Sequence, residues 1–425
     1  MGANNNCLMK SIALGAVLTC CAASVTAAQE TRPAALVDLP QGAAKETVMA
    51  RCIGCHDLSR IVNANHSAAE WRNVVNMMVT AGAKLSPAEK DAVAQYLIES
   101  FPGKPRPQPV VIAGTAHVSF REWQVPTGGS RPHDPLATPD GALWYTGQMA
   151  NTLGRLDPAT GVIKEYRLTT PSSGPHGLAD DKDGHIWFTA NFAGYIGELD
   201  PNTGGVKEYP LPDPAARDPH TLLFDHDGVL WFTVQNADMI GRLDPKTGDI
   251  KLITVATPNA RPYGMALSTD GQAVFFDLFG TNKIASIDRH SLAIREYPLP
   301  DGGSRPRRIA ASGDFVWYSD YSRGRLGRLE PNTGKVTEYP SPGGAQSQPY
   351  AITALNGIIW YVETGVQPNM LVRFDPATEK FQTWAIPSGG GVVRNMMPTR
   401  DGNLALACSG VNGVALATIK NGGGT

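Results

Sequence analysis

The sequence predicts an all-β seven-bladed β-propeller preceded by a small all-α domain. Three observations carry this. An Asp-Gly pair or its equivalent recurs seven times at intervals of 42 to 45 residues. Each is followed by a short aromatic strand, and a fixed period of this size with four strands per unit is the signature of propeller blades. Helical periodicity is confined to the stretch from Glu46 to Phe101.

In chain order, residues 1–28 read as a secretory signal peptide. Lys10 precedes an apolar run from Ile12 to Ala23, and Val25-Thr26-Ala27-Ala28 offers an A-x-A-like cleavage site. The run is too short for a stable membrane span. The expected location is periplasmic; Cys20 and Cys21 raise the lipoprotein alternative, but Thr19 is a poor residue before an acylated cysteine. Residues 29–45 form a polar, Ala/Pro-rich lead.

Residues 46–102 carry the helical domain. Its first helix runs into Cys52-Ile53-Gly54-Cys55-His56. Cys-x-x-Cys-His is the attachment motif of c-type haem: two thiols form thioethers, and the adjoining histidine ligates iron. Covalently bound haem c on Cys52, Cys55 and His56 is therefore the expected cofactor, which makes this a cytochrome c domain. A zinc site would need a second Cys/His pair nearby, and none follows. Ser67-Ala68-Ala69-Glu70 is a capping box opening a helix with Trp71, Val74, Val75 and Met78 on one face. Ser86-Pro87-Ala88-Glu89 opens another, with Val93, Tyr96, Leu97 and Ile98 on its apolar face. Met78 is the expected sixth iron ligand, with Met77 and His66 as alternatives. The run Trp71-x6-Met78, Gly82-Ala83-x-Leu85 and Glu89 resembles the haem domains attached to quinohaemoprotein amine dehydrogenases.

Residues 103–116, with Pro105, Pro107 and Pro109, read as a semi-rigid extended linker. The propeller occupies 117–425. Aromatic strands such as Ile186-Trp187-Phe188 are followed by Gly-x-Leu-Asp-Pro-x-Thr-Gly (Gly197 to Gly204) and Glu-Tyr-x-Leu-Pro (Glu208 to Pro212). The last repeat lacks its Glu-Tyr-x-Leu-Pro strand, and the orphan copy lies at residues 120–126. That strand is expected to close the ring and remove its exposed edges.

Composition sets limits. A formal net charge of −2 offers no case for nucleic acid. Of six cysteines three fall in the signal and two in the haem motif, which leaves only Cys408 and no disulfide framework.

Pro-His occurs at Pro132-His133, Pro175-His176 and Pro219-His220, at one register of three successive blades. Tyr263, Arg307, Tyr350 and Arg394 hold that register in the other four. The register places these side chains at one end of the central channel, where His133, His176 and His220 can converge on a divalent metal or act as bases. Pro175-His176-Gly177-Leu178, Ile186-Trp187-Phe188-Thr189 and Asn282-Lys283-Ile284 resemble the virginiamycin B lyase family. The resemblance covers about 300 residues. It implies a seven-bladed propeller and metal-assisted elimination across the ester of streptogramin B depsipeptides, with an acid shortly after the Trp-Phe pair. In the three His blades the residues there are Gly147-Gln148, Ala190-Asn191 and Val234-Gln235, all uncharged. Acids stand instead at Asp277, Asp320 and Glu363, and only Glu363 keeps the Trp-x-x-Glu spacing.

Three functions fit these features. The first is a periplasmic haem protein in electron transfer or substrate oxidation, its propeller binding a small organic molecule through His133, His176, His220, Arg307 and Glu363. The second is a metal-dependent C–O lyase, and the third a docking module for a redox partner protein. None requires a nucleic-acid partner or a membrane span.

Overall fold

In the computed structural model the described residues are 39–52, 58–62 and 64–421. The signal and most of the lead lie outside them, as do Cys55 and His56. The described chain from Leu39 onward forms one compact unit.

Four helices open it: α1 (Lys45–Arg51), α2 (Ser59–Val62), α3 (Ala68–Thr80) and α4 (Pro87–Ser100). Both capping boxes form. Ser67 and Ser86 accept from the backbone of Glu70 and Glu89, whose carboxylates accept in return from the two cap N–H groups. Trp71 and Val75 of α3 pack with Val93, Tyr96 and Leu97 of α4 around Val48 of α1. The Trp71 indole donates to the Phe101 carbonyl at 2.8 Å, which ties the end of α4 to the start of α3.

Residues 102–115 have no regular secondary structure. They lie against the outermost strand of the sixth blade (Lys380–Ala385): Ile112 N–H donates to Thr383 Oγ1 at 2.8 Å, and Thr383 N–H donates back to the Ile112 carbonyl at 3.0 Å.

The remainder is seven four-stranded antiparallel sheets. Six are built from consecutive strands, spanning 132–167, 175–210, 219–254, 262–298, 306–340 and 349–385. The seventh joins three C-terminal strands to Ala116–Gln124, which pairs along its whole length with Gly413–Asn421. The closing strand thus begins earlier in the chain than residues 120–126.

The repeat motifs acquire physical causes here. Gly141, Gly184 and Gly228 sit at φ of 83°, 84° and 78°, so the turns need a residue without Cβ. Gly197 of the Gly-x-Leu motif faces Phe188 across the ladder, and a Cβ there would lie 2.1 Å from the ring. Close approach of the aromatic, not backbone conformation, demands that glycine. Trp187, Trp231, Trp317 and Trp360 are fully buried, and the first two also donate to Asp181 and Asp225. Among the described residues no helix is long and apolar enough to cross a membrane.

Candidate functional site at the channel mouth

The innermost strand of each blade begins at the same place: Pro132, Pro175, Pro219, Pro262, Pro306, Pro349 and Val393. In all seven the pairing with the second strand is interrupted just after this residue, a bulge that leaves the next residue unladdered. A bulge re-aims side chains. The first residue after it is His133, His176, His220, Tyr263, Arg307, Tyr350 or Arg394.

The histidines come together. The ring centroids of His133 and His176 lie 3.6 Å apart, those of His176 and His220 3.7 Å, and Tyr263 continues the stack 3.9 Å beyond His220. The Tyr263 and Tyr350 hydroxyls are in hydrogen-bond contact. The Arg307 guanidinium lies over the Tyr350 ring at 3.9 Å and over Tyr321 at 4.3 Å.

The next residue in each strand forms a second layer. Its members Asp134, Arg308 and Asn395 span the channel: Arg308 and Asn395 each donate to Asp134 at 2.9 Å, and Arg308 Nε donates to the Arg394 carbonyl at 3.0 Å. His133 Nδ1 lies 2.8 Å from Asp134 Oδ1. This fixes the tautomer, with Nδ1 protonated and Nε2 free to accept. Asp134, Arg308 and Asn395, with Thr221 and Gly264, line a cavity of about 250 Å³ in the channel that no residue of the first layer touches.

Backbone clasps hold the first layer. Thr146 Oγ1 accepts from Asp134 N–H at 3.0 Å and donates to the His176 carbonyl of the next blade at 2.9 Å. Thr189 does the same for Gly177 and His220, Thr233 for Thr221 and Tyr263, and Ser319 for Arg308 and Tyr350. In the fourth blade Asp277 takes this position and accepts from Gly264 N–H at 2.8 Å, leaving Oδ2 buried and unpartnered.

Electrostatics follow from burial and from arginine. Burial, and for His133 the guanidiniums of Arg394, Arg131 and Arg308, hold all three histidines well below the ordinary imidazole range, so they are neutral at pH 7. Burial would raise the Tyr350 phenol, but Arg307, Arg394 and Arg308 outweigh it and bring it to about 8. Burial opposes the Arg308 charge, and Asp134, with Tyr263, Tyr350 and Asp277, together outweigh it.

Glu363 lies elsewhere. It ends the second strand of the sixth blade, and its carboxylate accepts from Ser341 Oγ at 2.5 Å and Gly343 N–H at 2.7 Å. The structure shows no contact between it and the histidine ring. Asp320 likewise accepts from Arg305, Ser322 and Arg323. His133, Asp134 and His176 do place three potential ligand atoms within 4.8 Å of one another. Both Asp134 oxygens are already taken, however, and Arg131, Arg307, Arg308 and Arg394 surround the site. The donor set suits an anion better than the divalent cation that the spacing alone suggested.

Of the haem residues, Cys52 is the described one. It caps α1 half-buried, packed with Met49 and Leu58 against the helical core. An apolar wall beside a thiol fits the edge of a macrocycle. Met78 follows Trp71 and Val75 at helical spacing and is half-buried, whereas Met77 lines the cavity between α3 and the propeller. His66, in the loop before α3, is a half-buried neighbour of Trp71, ring to ring at 4.8 Å. His185 lies between Asp181 and Glu198 at 3.2 and 3.3 Å.

Helix α3 seats on the propeller beside the mouth. Asn73 donates to the Gly410 carbonyl at 2.7 Å and Thr80 to that of Gly128 at 2.6 Å; a Cβ on Gly129 would stand 2.7 Å from the Asn76 backbone. The junction encloses a cavity of about 140 Å³ whose lining includes Asn73 and Met77 from α3 and Arg131 and Arg394 from the propeller.

Residues 111–276 match the virginiamycin B lyase family model. A streptogramin B lyase structure superposes with a TM-score of 0.65 at 28% identity, covering 71% of this chain and 98% of the other. The propeller is virginiamycin B lyase-like. The Staphylococcus aureus virginiamycin B lyase superposes with a TM-score of 0.64 at 25% identity, covering 71% and 99%. A catalytically inactive histidine-to-alanine variant of that enzyme, solved with quinupristin, gives 0.63 at 25% identity over the same shares. No curated protein matches the chain.

The residues that sequence reasoning missed on this lyase-like propeller are Asp134, Arg308, Asn395, Arg131 and the Thr/Ser clasps. The one signal for the clasps was the recurring Trp-x-Thr at Thr146, Thr189 and Thr233, which reads as ordinary strand composition.

Proposed function

We propose that this is an exported c-type haem protein whose lyase-like propeller binds a small organic molecule at the channel mouth and whose helical domain passes electrons between that site and a redox partner protein. One observation carries the reading. The domain bearing Cys52 and the Cys-x-x-Cys-His motif is seated through α3 directly on the mouth, and Met77 of α3 shares a cavity with Arg131 and Arg394. Bound haem c would supply a one-electron carrier. Cys52, Cys55, His56 and Met78 would hold it. The propeller's own residues do the rest: neutral His133, with Asp134 on Nδ1, accepts a hydrogen bond or a proton at Nε2, while the arginines orient a polar substrate. The test is expression in a haem-maturing host. One covalent haem per chain, abolished by Cys52→Ala, is the expected result; unmodified protein with the motif intact refutes the reading.

A second reading, C–O elimination, is favoured by the histidine ring together with the family match. It predicts ester opening that is independent of the haem's redox state. Against it stand the uncharged Gln148, Asn191 and Gln235 and the engagement of Glu363 away from the ring.

A further inference from the structure

The sum of charges at the mouth is out of balance. Asp134 is matched by Arg308, but Arg131, Arg307 and Arg394 have no carboxylate within ion-pair distance among the described residues. Their Nε atoms are buried without a hydrogen-bond partner, as are His176 Nδ1 and Gln148 Oε1. After burial, Arg394 and Arg307 both press on the Arg131 charge, and the Tyr350 and Tyr263 phenols act in the opposite direction. Burial and mutual repulsion work against the Arg131 charge and no carboxylate of the described residues offsets them, whereas for Arg307 the phenols of Tyr350, Tyr263 and Tyr321 outweigh burial. An arginine fork matches the two oxygens of a carboxylate. Arg131 and Arg394 line the cavity of about 140 Å³ beneath α3, with Val74, Met77 and Val392 as its apolar wall, and Arg307 lies outside that lining; the volume is close to the roughly 150 Å³ cavity that holds a benzene ring in an engineered protein. Beside Arg307 the walls are aromatic, formed by Phe279, Tyr321 and Tyr350.

We propose that the cavity beneath α3 at the channel mouth binds a small organic acid, its carboxylate held by Arg131 and Arg394 and its carbon skeleton lying against Val74, Met77 and Val392. This deepens the function proposed above, since it names the class of molecule that the mouth takes. The neutral histidines do not compete with it for the positive field.

The test is calorimetric titration of the haem-loaded full chain with acetate, succinate and benzoate, each paired with its uncharged amide, and with inorganic phosphate. At least one acid is expected to bind saturably at least tenfold more tightly than its amide and than phosphate. Arg131→Gln and Arg394→Gln should each weaken it at least tenfold, Arg394→Lys should weaken it less, and Lys182→Gln, exposed in the turn at the far end of the second blade's innermost strand, should leave it unchanged. Thermal unfolding of each variant separates a lost site from a lost fold. The proposal is overturned if no acid binds, if amides bind equally, if phosphate binds best, or if the folded arginine variants bind as the parent does. Haem content is read from absorbance on the same samples, so failure of acid binding and failure of the haem reading are separate results.

Discussion

Replacing Asp134 by asparagine keeps its size and one acceptor oxygen but removes the counter-charge of Arg308. Both side chains are about 95% buried, so water cannot take over. Breaking a buried pair by removing one partner costs about 3–5 kcal/mol, because the remaining charge is left uncompensated. Here Arg307 and Arg394 lie nearby, which puts the cost toward the upper end. With an unfolding entropy of about 2.1 cal/mol/K per residue over roughly 380 described residues, about 4 kcal/mol lowers Tm by about 5 °C. The double variant Asp134→Leu/Arg308→Met removes both charges, and at least half of the loss should return. Differential scanning calorimetry at pH 7 reads both. A shift below about 1 °C for Asp134→Asn, or a double variant worse than either single one, would refute the idea that this pair is the channel's electrostatic plug.

Burial raises the Asp277 carboxyl well above its ordinary value. Its contribution to stability is therefore greatest below its unfolded pKa and is lost as pH rises through the folded one. Asp277→Thr restores the clasp used by Thr146, Thr189 and Thr233 and should stabilise by about 1 kcal/mol at pH 8, with a smaller gain at pH 4; a gain that grows on acidification contradicts the assignment. Gly129→Val meets the Asn76 backbone and a φ of 72°, so it should unseat α3, seen as faster proteolysis between residues 101 and 116 with the propeller intact. Zinc or magnesium at millimolar concentration should leave Tm unchanged for both the parent and His133→Ala/His176→Ala/His220→Ala. Stabilisation of the parent alone would restore a cation to the ring.

The fold was legible because a propeller writes its geometry into a local repeat. The Asp-Gly turns, the aromatic strand and the glycine beneath it are each set by neighbours within one blade, so Gly197 and Phe188 report the same fact twice. The missing last strand and its orphan copy at the start report closure in the same local way. The capping boxes at Ser67 and Ser86 are local too. Register likewise determined that His133, His176, His220 and Arg307 share one end of the channel. What register cannot express is which side chains meet across a ring. Asp134 and Arg308 are 174 positions apart and contact only because seven bulges aim inward. Glu363 has the sequence spacing of a site acid, yet Ser341 and Gly343, from the strand end of the neighbouring blade, take its carboxylate. The seating of α3 on Gly128, Gly129 and Gly410 rests on backbone atoms, which carry no side-chain signature. The sequence alone thus determined the blades, the closure and the ring of histidines. The tertiary structure decided the charge balance at that ring and what covers it, because both depend on contacts between parts of the chain that no periodicity links.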